Sequence, residues 1–184
     1  MQRQVSAPPK LCRGALALAA CFLWLAPARA AESPKTLLML DFELIDQTRP
    51  GEEAPPPPAE RERLARVGAQ LRDEFERNGF YDLIDPARAA PAIERARASY
   101  RYLHDCNGCE LDIARSVDAD RVLTGWVQKV SELILNLNIE IKDAQTGDIV
   151  LRKSVDMRGN TDTTWKRAAS FLVRDMREKQ QGGR

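Results

Sequence analysis

Between residues 133 and 141 the chain alternates. Leu133, Leu135, Leu137, Ile139 and Ile141 fall on one parity, and Ile134, Asn136, Asn138 and Glu140 on the other, with Lys142 next. A period of two predicts a strand with one apolar and one wet face. Asp143 to Asp148 follows as a turn, with Gly147 free to take positive φ. Ile149, Leu151, Val155 and Met157 then resume the apolar pattern, with Lys153 out of place. The prediction is an antiparallel hairpin near the C-terminal end. A lone hairpin is marginal in water, so helices on either side in sequence must cover its apolar face.

Upstream, Thr36 to Leu44 reads as one strand, and its continuous apolar start suits a central position buried on both faces. Asp41 and Glu43 sit at its exit, where α/β domains often place binding groups, and where two solvated acids are equally at home. Residues 46–59 include Pro55 to Pro58 and cannot be sheet interior. They form a stiff surface loop or a segment that docks to an aromatic groove. From Glu60 to Asn78, Leu64, Val67, Leu71 and Phe75 recur at helical spacing, and Gly79 stops the helix. Phe80 to Ile84 is a short strand. Asp85 caps a thin, alanine-rich helical stretch, Ala87 to Ala98, interrupted at Pro91. Glu110 to Val117 is a short helix, and Val122 to Val127 begins a third strand, with a turn or bulge at Ser131-Glu132. Thr161 or Asp162 caps a last helix whose stripe is Trp165, Ala168, Ala169, Leu172 and Met176. The fold class is therefore α/β (α+β): one domain over residues 36–178, a mixed sheet, helices packed mainly on one face, and a fraying tail at 179–184.

Residues 1–30 do not fit that pattern. Lys10 and Arg13 precede an apolar run from Gly14 to Ala26, and Ala28-Arg29-Ala30 has the small-x-small form of a cleavage site. The run is shorter than the roughly 20 residues of a membrane span. An export leader over 1–30, a polar lead over 31–35 and a periplasmic location follow as expectations, with no transmembrane span after cleavage. Leu18-Ala19-Ala20-Cys21 also matches a lipidation motif, which would anchor the chain through Cys21. Without its leader the chain has 24 basic and 27 acidic residues, a net charge of −3. That balance gives no nucleic-acid footprint.

Export leaves two cysteines, Cys106 and Cys109, in an oxidising space. Their spacing supports a structural disulfide, a thiol-exchange centre, or a metal site completed by His104, the one histidine. The disulfide is the first reading, because no second ligand pair exists. No nucleophile elbow, zinc-protease helix, dinucleotide fingerprint or phosphate loop occurs. No cofactor or catalytic residue is assigned, and a non-enzymatic protein is expected. Trp126 lies on the parity opposite Leu123 and Val127 and is a candidate binding residue, with Asp41.

Several stretches carry a resemblance. They are Leu38 to Phe42, Leu71 to Phe75 with Gly79 to Asp85, Cys106-Asn107-Gly108-Cys109, Ala119 to Ser131, Asp143 to Gly147, and Arg158-Gly159-Asn160-Thr161-Asp162 ahead of Trp165. In this order they resemble a family of secreted bacterial proteins, domain of unknown function 2380. More distantly the element order is similar to the TolB N-terminal domain and to the periplasmic modules of LpoB and CsgG. The resemblance implies a non-enzymatic envelope module that contacts an unidentified envelope protein. It also marks Arg158, Asn160, Thr161 and Asp162 as candidate binding positions. Where the family pattern has Gly-Ala-Asp this chain writes Asp118-Ala119-Asp120, so an ordinary φ is expected at 118. The alternative is a small periplasmic redox or metal-handling protein using Cys106 and Cys109.

Overall fold

The structure is a computed structural model that describes residues 34–49, 51 and 55–182. The expected leader, with Cys21, lies outside the described residues. Six strands and four α-helices follow in the order β1 (Thr36–Met39), β2 (Glu43–Asp46), α1 (Pro58–Asn78), β3 (Asp82–Ile84), α2 (Ala90–Ser99), α3 (Cys109–Arg115), β4 (Arg121–Lys129), β5 (Ile134–Asp143), β6 (Ile149–Arg158) and α4 (Asp162–Gly182). A 3₁₀ turn, Pro86–Ala89, leads into α2, and another, Leu103–Asp105, precedes α3.

The sheet runs β3-β1-β4-β5-β6, and β2 also pairs with β4. β3, β1 and β4 are parallel; β4, β5 and β6 are antiparallel. The predicted hairpin is therefore present, and Ser131-Glu132 is the turn that separates β4 from β5. Gly147 closes the β5–β6 turn at φ +79°.

One expected strand is two. β1 pairs with residues 121–123 of β4, and β2 with residues 126–129 of the same strand. Between them the chain steps out so that the Phe42 ring covers Gly125. A Cβ there would come within 2.2 Å of Phe42 Cε1. The apolar pattern could not reveal the break, because the residues on both sides of it remain buried.

α1 and α4 cover one face through Leu64, Val67, Leu71, Phe75, Trp165 and Leu172, against Leu135, Leu137, Ile139 and Ile141 of β5. The other face is covered only near β1, where Leu38, Leu40 and Val122 meet Ala96, Ile113 and Ala114 of α2 and α3. β1 is thus buried on both faces, as its composition predicts. The far half of that face stays wet: Asn136 Nδ2 donates to Asp156 Oδ1 (2.7 Å) and Ser154 Oγ to Asn136 Oδ1 (2.6 Å).

Three positions depart from the pattern. Leu133 is 72% exposed, because β5 begins one residue later. Ile149 pairs with Lys142 while Leu151 pairs with Ile141, so Val150 is an extra residue in a bulge and Ile149 leaves the core side. Asp118 takes φ +56° and turns the chain out of α3 as a glycine would, rather than holding an ordinary φ. Asp120 then ties β4 to β1, accepting from Thr36 N (2.9 Å) and Thr36 Oγ1 (3.0 Å).

β6 closes the sheet, and among the described residues no strand pairs with its outer edge. Gly159 N donates to Leu133 O (3.0 Å) across the β5–β6 pair. Strand backbone direction alternates, so Met157, Val155 and Lys153 also face β5. The amides of Arg152, Ser154, Asp156 and Arg158 point outward.

Candidate functional site

Two concave surfaces lie at the sheet edges. The first follows from the β1–β2 break. Phe42 and Leu44 form its inner wall, Leu64, Ala65, Gly68 and Ala69 of α1 face them, and Pro55 and Pro56 bound one end. The cavity is about 780 Å³. Five arginines reach it, Arg49, Arg61, Arg72, Arg97 and Arg101, against Asp41, Glu43 and Asp46. Asp41 bridges two helices at the mouth: Arg97 Nη2 lies 3.2 Å from its carboxylate and Arg72 Nη2 4.0 Å. Its side chain remains 69% exposed.

Glu43 turns to the opposite face of the sheet. It accepts from the Leu103 and His104 amides (2.7 and 3.1 Å) and lies 2.6 Å from His104 Nδ1. The His104 ring stacks on Trp126, with centroids 4.5 Å apart and planes at 14°. Trp126 is thus on the parity expected and half-buried, stacked on the segment before α3.

His104 is turned away from the sulfur atoms. Cys106 and Cys109 are bonded to each other, as the first reading held. Cys106 is buried, Cys109 is half-buried, and the buried Glu110 carboxylate lies 3.1 Å from Cys106 Sγ. Cys106, Cys109 and Glu110 are close enough to share a metal, but joined sulfurs cannot serve as thiolate ligands. Lys142 Nζ contacts Glu110 Oε1 at 2.7 Å. Attack on the more accessible Cys109 would expel a thiolate at Cys106 against this anion. The arrangement therefore opposes exchange chemistry.

The Arg158 to Asp162 turn is knitted into the core's end. Asn160 Nδ2 donates to Glu60 Oε1 (2.9 Å) and Glu132 Oε2 (3.0 Å), while Trp165 Nε1 donates to Asn160 Oδ1 (2.9 Å). Thr161 supplies the cap, accepting from Thr164 N through its hydroxyl (3.3 Å), and Asp162 pairs with Arg63 (2.7 Å) and Arg66 (3.1 Å). At the centre is Lys129, which is buried. Its Nζ meets Glu132 at 2.5 Å, Glu60 at 2.6 Å and Asp46 at 3.7 Å. Burial works against its charge, but hydrogen bonds to Glu132 and Glu60 outweigh it and hold the ammonium above its ordinary pKa. The Lys129 bond, with Asn160 behind it, holds Glu132 below the usual carboxylate range. Sequence reasoning missed Lys129, because as an apparent edge lysine at a strand end it gives no signal of burial.

The second surface lies between the outer edge of β6 and the flank of α4, a cavity of about 1080 Å³. Arg158, Lys166, Arg167 and Arg174 line it against one acid, Asp156, whose carboxylate is engaged by Asn136. Phe171 stands on this flank, 47% exposed, with the Arg174 guanidinium 5.2 Å from its ring centroid. Among the described residues no helix is long and apolar enough to cross a membrane.

Solved structures with similar features include the LpoB C-terminal domain from Escherichia coli. It is 19% identical, with a TM-score of 0.48, over 70% of this chain and 86% of that one. The PelC dodecamer from Paraburkholderia phytofirmans is 12% identical, with a TM-score of 0.47, over 78% and 89%. TolB from Acinetobacter baumannii is 12% identical, with a TM-score of 0.43, over 79% of this chain and 28% of that one. No curated protein sequence matches. A family model does match, from residue 35 to residue 176. It spans β1 to the last turns of α4 and takes in the stretches that carried the resemblance. The chain belongs to the family described as Protein of unknown function (DUF2380).

Proposed function

We propose that the chain is a non-enzymatic contact module of the bacterial envelope, and that its docking edge is β6 with the flank of α4. The observation that carries this reading is an open edge strand of ten residues beside a cationic wall and an exposed aromatic ring. Unpaired outward N–H and C=O groups are a template for an added strand. Phe171 would cover one face of that strand, and Lys166, Arg167 and Arg174 would meet acidic side chains. The occupant is therefore an acidic extended segment of another protein. Location in the periplasm is supported by the leader pattern of residues 1–30 and by the Cys106–Cys109 bond. Lipidation at Cys21 would add an anchor.

A photo-crosslinking residue placed at position 171 in the exporting cell tests the edge, with position 82 on β3 as the comparison. The expected result is one discrete heterologous adduct from position 171. It should be lost when Arg167→Glu and Arg174→Glu are combined, and absent from position 82. No adduct, an adduct with the mass of two copies of this chain, or one indifferent to charge reversal would overturn the assignment.

A further inference from the structure

The edge of β6 sets where a partner strand docks and also which side chains that strand must carry. We infer that the docked segment has an apolar residue with an acid two positions away on each side, and uncharged polar residues between. This rests on the contact reading and adds a spacing to it. α4 runs back along β6, and two contacts fix the alignment. At one end Thr164 Oγ1 donates to Gly159 O (2.6 Å), and at the other Lys153 pairs with Asp175. A strand advances about 3.3 Å per residue and a helix about 1.5 Å. Between those anchors Arg167 therefore comes level with Met157, Phe171 with Val155 and Arg174 with Lys153. Residues 167, 171 and 174 are spaced to share one helix face, and all three line the cavity beside β6.

Strand geometry decides which partner residues meet that row. The amides of Ser154 and Asp156 point outward, so an added strand makes hydrogen-bonded pairs at those positions. Opposite Met157, Val155 and Lys153 it makes the non-hydrogen-bonded pairs, where facing side chains come closest. These three side chains lie on the α4 side: Met157 is buried in the core there, Val155 packs against it, and Lys153 reaches Asp175. Partner residues opposite them project over Arg167, Phe171 and Arg174 in turn. Among the described residues neither arginine has a carboxylate partner, and Arg174 lies over the Phe171 ring. The acids Asp156 and Asp175 are already engaged, by Asn136 and by Lys153 with Lys179. Each arginine thus calls for an acid, and the ring between them for an apolar side chain. The other face of β6 differs. There Ser154 donates to Asn136 Oδ1 and Asp156 accepts from the same amide group, so an acid added on that face would stand beside Asp156. Like charges on neighbouring strands destabilise the pair, which confines the acids to alternate positions.

A capped peptide Thr-Glu-Thr-Ile-Thr-Glu-Thr carries the spacing, and its pattern reads the same in both directions, so it suits parallel or antiparallel docking. Thr-Glu-Ile-Thr-Thr-Glu-Thr has the same composition with the apolar residue moved to the other face. Each is titrated into the ¹⁵N-labelled mature chain at low salt. The first should move the amides of Ser154, Asp156 and Arg158 saturably, with a Kd of about 10–500 μM, and the second should bind at least about fivefold more weakly. Arg167→Glu combined with Arg174→Glu should abolish binding of the first peptide and confer binding of Thr-Lys-Thr-Ile-Thr-Lys-Thr, an exchange that a misfolded variant could not show. Equal binding of the two acidic peptides, loss without gain in the charge-reversed variant, or binding that moves no β6 amide would overturn the spacing. So would the absence of binding. The contact reading is judged separately by the adduct from position 171. A discrete adduct whose crosslinked segment lacks the spacing would keep the docking edge and remove the motif, whereas no adduct would remove both.

Discussion

Gly125 and Phe42 show how one missing side chain shapes an edge. A methyl group at 125 would lie within 2.2–2.6 Å of three Phe42 ring carbons. Gly125→Ala should therefore destabilise the domain by about 1–3 kcal/mol in urea unfolding and expel Phe42 from the wall of the cavity. Lys129 poses a different problem. Glu60 is buried, and its Oε2 has no hydrogen-bond partner among the described residues, so the carboxylate depends on contacts through Oε1. Removing the ammonium alone with Lys129→Met should cost about 3–5 kcal/mol, because it strands a buried anion. Adding Glu60→Met to that variant should recover part of the loss, a coupling that a double-mutant cycle measures. Asp118, at φ +56°, is a milder case. Asp118→Gly should raise the unfolding free energy by about 0.5–1 kcal/mol, because relief of the positive φ outweighs the added freedom of the unfolded chain.

At the scale of elements, the long periodic ones could be read from the pattern. β5 and the stripes of α1 and α4 were visible because burial on one face writes a period into the chain. Leu137 is fully buried and Leu133 stands in solvent, although they share a parity. Leu137→Asp should abolish cooperative unfolding, whereas Leu133→Asp should leave the unfolding free energy within about 0.5 kcal/mol. The difference is one of strand ends, which apolar periodicity does not mark. The β1–β2 break, the bulge at Val150 and the positive φ of Asp118 were hidden for the same reason. Each is decided by a partner distant in sequence or by backbone geometry, while the residue types stay ordinary. Of the candidate sites, the cysteine bond was legible from spacing and compartment. The arginines of the cavity come from α1, α2 and the loops, so no local motif collects them. The Asn160 turn was marked as distinctive, and its ties to Glu60 and Glu132 emerge only when α1 and the β4–β5 turn meet it.

For the whole molecule, charge and edges set the behaviour. Hydrogen bonds from Thr36 hold Asp120 below the ordinary carboxylate range, and the Lys129 bond does the same for Glu132. For Asp46, burial pushes upward but the Thr48 hydrogen bonds, with Arg49 and Lys129, prevail and lower it. Depressed folded values add stability that is present above the unfolded carboxylate pKa of about 4 and is lost as pH falls through the lower folded values. Lys129 and Lys142 are raised, burial being outweighed by their carboxylate partners. Their contribution is complete below the unfolded lysine pKa of about 10.4 and is lost as pH rises through the folded values. Stability should accordingly be flat from about pH 5 to 9 and fall on both sides, as thermal unfolding across a pH series would show. The contact reading rests on one physical feature, the open edge of β6. Residue-resolved amide hydrogen exchange on the isolated mature chain tests it most directly. Arg152, Ser154, Asp156 and Arg158 should exchange rapidly, and Lys153, Val155 and Met157 between them slowly. Uniform protection along β6 would mean that its edge is already covered, and would contradict the account.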